Sequence, residues 1–462
     1  MLEKNTIVAL ASPQGTGAIG IIRISGTEAI SIASKCFKSH RGLKLIHQSS
    51  HKTFLGFIKD GSRIIDKVLL TIFKEPNSYT GENIIEISCH GSKYILQEIL
   101  HLIVKKGAIP AKPGEFTLRA FLNRKMDLTQ AEAVADLISS ESKAAHELAI
   151  NQMRGGFSKK ISELRSKLIH FASMIALELD FSEEDVEFAD REEFLNLLDN
   201  IEQKLKNLSE SFAYGSVIKN GVPVAILGKP NSGKSSLLNA LLNEEKAIVS
   251  DVEGTTRDSI EDTLIIDGIQ FRFIDTAGLR ETKNKIESIG VSRAIENAKK
   301  AKILLFLYDV TDTEEKGILN QLKTILSFDK KTILVQNKMD ISNGSEKIKT
   351  LIKSKFPHLP PALLISTFKA ESIDKLKLKL IETVNKIGND SQTVITNVRH
   401  HSSLQSALKD IILVKKGMKN KISGDLLSVD LNSAIQSLGE ITGEINTDDI
   451  LGNVFQNFCI GK

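Results

Sequence analysis

A glycine-rich loop between an apolar segment and a helical segment is the feature that most restricts the fold of this chain. The apolar segment VPVAIL precedes it, and Gly228, Gly233, Lys234 and Ser235 have the spacing Gly-x-x-x-x-Gly-Lys-Ser. Glycines let backbone N–H groups curl around phosphates, and the N-terminus of the following helix adds positive potential. The lysine can reach the outer phosphates and the serine can bind magnesium. The loop therefore predicts a nucleotide-binding domain built of strands and helices.

The segment after the loop alternates apolar strands with helical stretches. Beyond VPVAIL come FRFID, ILLFLYDV, KTILVQN and ALLIS, each followed by a loop or a helical pattern. Continuous apolar runs joined by helices are typical of buried parallel strands. We therefore expect a doubly wound, mainly parallel sheet that ends near Ile387.

Two further motifs follow the loop in chain order and indicate which nucleotide binds. FIDTAG places Asp275 at a strand end, where its carboxylate can hold the magnesium shell, and Gly278 can bring a backbone N–H to the terminal phosphate. NKMD then supplies Asn337, Lys338 and Asp340. A carboxylate at Asp340 can accept hydrogen bonds from the N1–H and 2-amino groups of guanine, and adenine does not offer these donors. The motifs predict that the nucleotide is GTP.

The segment GTTRD, residues 254–258, lies between the loop and FIDTAG. GTPases keep a switch segment at this place, and its threonine, here Thr256, completes the magnesium shell. Position 279 is Leu, whereas Ras-like enzymes have there the Gln that orients the attacking water. Hydrolysis must therefore use another group.

Proline usage and residue periodicity divide the chain. Up to Gly107, short β-branched runs alternate with two helical patterns, which predicts an α+β domain. The stretch between Pro113 and Pro223 and the stretch 391–462 lack proline and have helical spacing. A chain of 462 residues predicts about three domains. We place an N-terminal α+β domain, the first helical half, an inserted nucleotide domain and the second helical half at residues 1–122, 123–217, 218–387 and 388–462.

Charge and cysteine content restrict the class of protein. Lys plus Arg number 61 and Asp plus Glu number 57, and the net charge of +4 tolerates polyanions without indicating nucleic-acid binding. The cysteines Cys36, Cys89 and Cys459 are scattered and form no C-x-x-C pair, which argues against a disulfide framework or a thiolate zinc site. Neither a signal peptide nor an apolar run of about 18 residues occurs. We expect a soluble, cytoplasmic protein.

Several motifs in one order resemble those of a known family. Between Thr6 and Lys462 they are GIIRISG, NSYTGE, HGS, KPGEFTLRAFLNRKMDLTQAEAVADLI, GKPNSGKSSLLNAL, EGTTRD, DTAGLRET, NKMD, EITGE and FCIGK. On these residues the chain resembles the MnmE family, also called TrmE, of tRNA modification GTPases. The resemblance implies a multidomain α/β and α fold. Its parts are an α+β domain that dimerises and binds folate, a discontinuous helical domain, and an inserted P-loop GTPase domain.

The resemblance also implies an activity. The chain would be the GTP-hydrolysing subunit of a complex that adds an aminomethyl or carboxymethylaminomethyl group to carbon 5 of the wobble uridine. A tetrahydrofolate derivative, in the 5-formyl or 5,10-methylene form, would supply the one-carbon unit, with magnesium and potassium at the GTP site. The implied partners are tRNA, a second copy in a homodimer, and the flavin-dependent MnmG protein, which alone carries FAD, in a heterotetramer or larger complex. A regulatory or ribosome-assembly GTPase without modification chemistry is the alternative hypothesis.

The resemblance assigns a nucleotide site to residues in five segments. The implied GTP-binding residues are Asn231, Ser232, Gly233, Lys234, Ser235, Ser236, Ser250, Asp251, Val252, Glu253, Gly254, Thr255, Thr256, Asp275, Thr276, Ala277, Gly278, Asn337, Lys338, Met339, Asp340 and Ser366. Ser235 and Thr256 would hold magnesium. Potassium would be held by Asn231, Ser250, Val252 and Thr255. Glu287 matches the family's catalytic glutamate, which helps to orient water.

The resemblance assigns folate to Arg23, Glu82, Lys125 and Lys462. Arg and Lys suit the carboxylates of the folate tail, and Glu can accept hydrogen bonds from pterin N–H groups. Cys459 either assists the transfer chemistry or is a packed thiol. We expect the terminal FCIGK to be an ordered part of this site that returns to the N-terminal domain, and neither a lipidation box nor a frayed end.

Overall fold

The computed structural model describes most of the chain. The described residues are 5–180, 191–243, 262–274, 295–311, 314–341, 346–387, 394–445 and 448–456, together with Phe458 and Gly461. They form two compact units. The first comprises Met1–Ile138, Ile150–Leu198 and Ser406–Lys462, and the second comprises Ser139–Ala149 and Asp199–Gln405.

The first unit contains a mixed seven-stranded sheet. Its strands are β1 (Ile7–Leu10), β2 (Ile19–Ser25), β3 (Phe37–Ser39), β4 (Lys52–Asp60), β5 (Arg63–Phe73), β6 (Ile84–His90) and β7 (Ile109–Pro110). They lie in the order β3-β4-β5-β6-β2-β1-β7. Every neighbouring pair is antiparallel except β1 with β7. The predicted α+β character of this region is confirmed.

The longest helices lie in the proline-free stretches on either side of the second sheet. The described helices are α1 (Ala29–Cys36), α2 (Lys93–Lys105), α3 (Glu115–Leu122), α4 (Leu128–Ser139), α5 (Lys143–Met153), α6 (Gly156–Asp180), α7 (Arg191–Asn220), α8 (Lys234–Asn243), α9 (Glu315–Leu326), α10 (Glu346–Lys355), α11 (Ala370–Asn385), α12 (Val398–Lys419), α13 (Gly424–Thr442) and α14 (Asp448–Phe455). Residues 295–300 are also helical. The long helices expected in the proline-free stretches are therefore present.

Packing in the first unit follows from the alternation of apolar residues. Ile22, Ile24 and Ile87 of the sheet bury against Ile32 of α1 and Ile99 of α2 in one core. Further along the chain, α13 packs along α6. Arg165 on α6 donates from Nε to the carbonyl oxygen of Ile435, 3.2 Å away, and also pairs with Glu444. A helix from the end of the chain thus packs on a helix that precedes the nucleotide loop.

The second unit contains a six-stranded sheet. Its strands are β8 (Val222–Leu227), β9 (Asp262–Ile266), β10 (Ile269–Phe273), β11 (Ile303–Asp309), β12 (Lys331–Asn337) and β13 (Leu363–Leu364), in the order β13-β12-β11-β8-β10-β9. All pairs are parallel except β9 with β10. The predicted mainly parallel, doubly wound sheet is confirmed.

Helices cover both faces of this parallel sheet. On one face Val224 and Leu305 bury against Leu237 of α8 and Leu376 of α11. On the other, Phe306 and Leu334 bury against α9 and α10. Since both faces are covered, the apolar character of β8, β11 and β12 is continuous, and the carboxyl edge is left to carry polar loops.

Among the described residues, no helix combines the length and the apolar character that crossing a bilayer requires. The predicted domain boundaries at residues 122, 217 and 387 stay a prediction.

Candidate functional sites

The phosphate loop between β8 and α8 requires its glycines. Gly228 has φ +149°, and a Cβ there would lie 2.0 Å from the carbonyl oxygen of Leu307. Gly233 has φ +96°, and its Cβ would lie 2.2 Å from Nδ2 of Asn337. Asn231 between them has φ +62°, a left-handed conformation that Asn tolerates better than most residues. β11 and β12 therefore lie so close to the loop that only glycine fits at positions 228 and 233.

Lys234 lies inside this loop. Its ammonium donates to the carbonyl oxygens of Gly228 and Lys229, at 2.9 and 2.7 Å. Burial lowers the pKa of Lys234. The charge is thus concentrated in a partly desolvated position where it can meet anionic oxygens, as a phosphate-binding lysine must.

The loop is linked to the end of β12, two strands away in the sheet. Asn337 is buried, and its Nδ2 donates to the carbonyl oxygen of Ser232 at 3.0 Å. Asp340 accepts a hydrogen bond from the hydroxyl of buried Ser366 at 2.6 Å, and the Met339 amide donates to the carbonyl oxygen of Ile365 at 3.1 Å. The residues expected to bind phosphate and those expected to bind the base therefore belong to one connected site.

A second acidic group at this edge escaped sequence reasoning. Asp309 ends β11 and pairs with the ammonium of Lys338. Desolvation acts to raise the pKa of Asp309, but hydrogen bonds from Lys338 and Thr311 outweigh it and hold the pKa below its usual value. The signal was present, since Asp309 follows an apolar strand just as Asp275 does. The ion pair fixes the side chain of Lys338, two residues before Asp340 in the chain.

A cavity of about 150 Å³ adjoins the loop. Its lining includes Asn231 and Ser232 of the loop, Tyr308 of β11 and Gln321 of α9. Within the described part of the chain the buried hydroxyls of Ser232 and Tyr308 have no hydrogen-bond partner, and burial raises the pKa of Tyr308. The cavity therefore separates part of the phosphate loop from α9.

A separate cluster of charged groups lies in the first unit, around Glu82. One guanidinium nitrogen of Arg119 lies 3.2 and 3.1 Å from the two oxygens of Glu82, and the other lies 2.9 Å from Glu115. Ser25 donates from its hydroxyl to Glu82 at 2.7 Å, and is itself 2.8 Å from the hydroxyl of Thr80. The side chain of Arg119 is 5% exposed and that of Glu82 24% exposed. A buried cation therefore holds a half-buried carboxylate in a fixed orientation.

Arg23 is engaged within the same unit. Its guanidinium binds Glu86 through two nitrogens, at 2.9 and 2.7 Å. The guanidinium carbon lies 5.5 Å from the ring centre of Tyr79 and 5.7 Å from that of Phe116. An anionic ligand at Arg23 would therefore compete with Glu86.

The loop from Pro76 to Glu82 connects the predicted folate residues. Lys125 donates from its ammonium to the carbonyl oxygen of Pro76 at 2.8 Å. Gly81 packs so closely on Lys125 that an added Cβ would lie 3.3 Å from its side chain. Since Tyr79 of this loop lies against Arg23, one loop touches all three of the described folate candidates.

The end of the chain packs against the first unit. Phe458 is buried with Phe455, and a Cβ on Gly114 would lie 2.7 Å from the carbonyl oxygen of Phe455. Gly461 has φ +100°, and a Cβ there would lie 2.2 Å from the carbonyl oxygen of Leu10. Arg23 donates to the carbonyl oxygen of Gly461 at 3.5 Å. The two described residues of FCIGK, Phe458 and Gly461, thus pack on the first unit, and Gly461 lies beside Arg23. The role of FCIGK in a one-carbon site stays a prediction.

Comparison with known proteins covers the whole chain. The family described as "GTP-binding protein TrmE N-terminus" matches residues 6–125, and "MnmE helical domain" matches residues 128–459. The chain belongs to the MnmE family. It is 53% identical over 464 residues to a protein of Flavobacterium psychrophilum named tRNA modification GTPase MnmE, and 51% identical over 469 residues to one of the same name from Flavobacterium johnsoniae. Both alignments span 100% of each chain.

Membership of the MnmE family confirms the resemblance read from the motifs. Of the predicted nucleotide residues, those at positions 231–236, 337–340 and 366 lie in the described part of the chain, in the phosphate loop, the start of α8 and the segments at the ends of β12 and β13, and their binding roles stay predictions. The other nucleotide and metal candidates, in 250–256 and 275–278, lie outside the described residues, as do Glu287, Cys459 and Lys462. Their roles stay predictions.

The sequence did not predict the residues that hold the candidate binding side chains in place. These are Asp309 at the nucleotide site and Ser25, Glu86, Glu115 and Arg119 in the first unit. A buried Arg119 had a weak signal in the sequence, since Glu115 precedes it by four residues on one helix face. Its contact with Glu82, 37 positions away, had none.

Proposed function

We propose that this chain is the GTP-hydrolysing subunit of a complex that modifies carbon 5 of the wobble uridine in tRNA with an aminomethyl or carboxymethylaminomethyl group. The observation that carries the GTP part is the link from Ser232 in the phosphate loop through Asn337 to the base-side segment that holds Asp340 and Ser366. The full-length relationship to proteins named tRNA modification GTPases supports the tRNA part. No observation favours the alternative of a regulatory or ribosome-assembly switch.

The residues present fit a phosphate chain with its cations. Ser235, the first serine of α8, and Thr256 would hold magnesium. Asn231, which takes a strained backbone conformation at the loop tip, would hold potassium with Ser250, Val252 and Thr255. Such cations stabilise the negative charge that develops on the transferring phosphoryl group. Lys234 would bind the outer phosphates, and Glu287 would orient water in place of the Gln that Leu279 replaces.

Potassium should therefore accelerate GTP hydrolysis, and sodium should not. A fixed charge at the transition state contributes several kcal/mol, so we expect roughly 10²-fold or more between matched salts. Turnover is measured at equal ionic strength in KCl and NaCl, with Asn231→Ala as the variant that loses the difference. Equal rates in the two salts would remove the cation from the proposal.

The first unit would bind the one-carbon donor, a tetrahydrofolate in the 5-formyl or 5,10-methylene form. Glu82 is fixed by Arg119 and Ser25, and it would accept hydrogen bonds from pterin N–H groups. Lys125 and Lys462 would attract the anionic tail of the folate, while Arg23 would do so only by exchanging its partner Glu86. Bound folate supplies a carbon at the oxidation level of formate or formaldehyde. We assign Cys459 to this carbon as a proposal, which the packing of Phe458 and Gly461 on this unit supports.

The proposed assembly follows the family. It comprises a homodimer, tRNA, and the flavin-dependent MnmG protein, with FAD on that partner alone. The domain boundaries at 1–122, 123–217, 218–387 and 388–462 and a cytoplasmic location belong to the same proposal.

The proposal is tested by analysing wobble uridines. A strain that lacks this gene is complemented with the wild-type chain or with Asp340→Asn, and its tRNA nucleosides are measured by mass spectrometry. We expect the wild-type gene to restore the modified uridine and the variant to fail. Normally modified uridine in the uncomplemented strain would refute the proposed function.

A further inference from the structure

The amino edge of the parallel sheet in the second unit carries a dense cluster of lysines. Lys302 immediately precedes β11, Lys330 immediately precedes β12, and Lys331 is the first residue of β12. Ile303 and Lys331 are paired in register, and the Lys302 amide donates to the carbonyl oxygen of Pro223 at 2.8 Å. These lysines therefore start adjacent strands, which lie about 4.8 Å apart.

Helix ends add further lysines to the same edge. In a parallel sheet the crossover helices run opposite to the strands, so the carboxyl ends of helices meet the amino ends of strands. Lys299 and Lys300 end the helical stretch 295–300, Lys323 lies in the last turn of α9, and Lys353 and Lys355 lie in the last turn of α10. Ile325 of α9, Ile352 of α10 and the neighbouring Phe328 and Phe356 share one apolar cluster, so these helix ends are adjacent.

Positive charges greatly outnumber negative charges on this edge of the sheet. Eight lysines stand against two carboxylates on these segments, Glu296 and Asp329, while the whole chain has a net charge of only +4. Within the part of the chain that the structure describes, none of the eight forms an ion pair. All except the half-buried Lys330 are exposed. Helix dipoles account for a lysine at each helix end, but not for the three at the strand ends.

We propose that this lysine edge, formed by residues 299, 300, 302, 323, 330, 331, 353 and 355, binds the phosphate backbone of tRNA. Clustered, exposed ammonium groups without carboxylate partners are complementary to closely spaced phosphates. An RNA backbone fits this edge better than an acidic protein surface does, because a protein surface carries fewer negative charges per unit area. β11 has seven residues and spans about 23 Å, so RNA on this edge leaves the nucleotide site at the opposite edge open.

The test compares two triple variants of the full chain. Lys302→Gln, Lys330→Gln and Lys331→Gln remove three charges from the lysine edge. Lys316→Gln and Lys347→Gln remove charges from the first turns of α9 and α10, and Lys375→Gln removes one from the second turn of α11, near the other edge of the same sheet. Affinity for unmodified tRNA is measured by fluorescence anisotropy over a series of KCl concentrations. GTP hydrolysis equal to that of the wild type verifies that each variant is folded.

We expect the first variant to bind tRNA at least about tenfold more weakly, and its log–log salt slope to fall by about 0.9 for each lysine that contacts a phosphate. The control variant should keep most of the wild-type affinity and slope. Unchanged tRNA binding by the first variant would overturn the inference, and so would an equal loss in both variants. Retained tRNA affinity with lost capture of a protein partner would assign the edge to that partner instead.

This inference rests on the proposed function, but the two fail differently. If the proposed function is wrong, the wobble uridine is normally modified without the gene. If only the lysine edge is misassigned, the wild-type chain restores the modification and binds tRNA, and the first triple variant does both equally well.

Discussion

The nucleotide site and the Glu82 cluster are built in opposite ways. The described residues of the nucleotide site lie in short loops that follow β8, β12 and β13, so the parallel sheet brings them to one edge. The cluster draws Ser25 from β2, Glu82 from the loop before β6, and Arg119 from α3. The parallel topology thus assembles the first site from strand ends, whereas contacts between segments that are distant in the sequence assemble the second.

This difference teaches how each site should respond to mutation. In the nucleotide site a side chain presented by a rigid strand end would bind the ligand directly, so its loss should affect affinity more than folding. In the cluster the binding candidate Glu82 is held by a buried cation, so loss of that cation should affect folding first. The predictions below test this contrast, from the largest expected effect to the smallest.

Asp340→Asn should change nucleotide specificity most strongly. The carboxylate would accept two hydrogen bonds that guanine supplies and adenine does not, and sites of this kind discriminate by about 10⁴-fold. We expect GTP affinity to collapse, binding of xanthosine triphosphate to improve, and the midpoint of thermal unfolding to stay nearly constant. Competition binding with GTP, ATP and xanthosine triphosphate measures this, and Asp329→Asn, an exposed aspartate after α9, is the control. Equal affinity of the wild-type chain for ATP and GTP would contradict the role of Asp340.

Arg119→Ala should destabilise the first unit by about 3–5 kcal/mol, because removal of one partner from a buried ion pair leaves charges uncompensated. Arg119 is 5% exposed and serves both Glu82 and Glu115. Arg63→Ala is a matched control, since Arg63 also pairs with a glutamate, Glu98, but is 54% exposed, so that solvent screens the pair and its loss should cost far less than that of Arg119. Urea unfolding compares the two. Similar losses in both variants would show that the cluster does not depend on its buried cation.

Asp309→Asn should have a smaller and pH-dependent effect. The folded-state pKa of Asp309 is depressed by its hydrogen bonds, so the stabilisation is present above the unfolded pKa, near 3.9, and is lost as pH falls through the folded value. We expect the variant to be about 1.5–3 kcal/mol less stable near neutral pH, and the difference from the wild type to shrink below pH 4. Unfolding curves at several pH values measure it, and a constant difference down to strongly acidic pH would exclude the ion pair as its source.

The sequence predicted the parallel strands of the second unit because buried strands are continuous apolar runs. It missed β9, whose residues Asp262–Ile266 alternate between buried and exposed at the antiparallel edge of the sheet. It also missed β4, where Gly56 interrupts the pattern. That glycine is required because an added Cβ would lie 2.4 Å from the ring of Phe37, a contact set by the pairing of two strands.

The same limit applies to the sites. Asp340 and Lys234 were found because their chemistry is contained in a few consecutive residues. Arg119 and Glu86 were not, since a charged residue is usually exposed and only the fold reveals the partner that lets it be buried. Local motifs therefore predicted which ligands bind, and tertiary packing decided what holds the binding residues in place.

The central claim is that the docked end of the chain serves the one-carbon chemistry of the first unit, while GTP hydrolysis resides in the second. Gly461→Ala tests it, because a Cβ at φ +100° would lie 2.2 Å from the carbonyl oxygen of Leu10 and displace the end of the chain. Gly452→Ala is the matched control, since the nearest atom to its Cβ would be 3.9 Å away in a flexible side chain.

The decisive measurement is wobble-uridine modification by each variant, alongside its rate of GTP hydrolysis. We expect Gly461→Ala, like deletion of residues 459–462, to lose modification and to weaken folate binding while hydrolysing GTP at the wild-type rate, and Gly452→Ala to retain both activities. Full modification with normal folate affinity in the deletion variant would contradict the account.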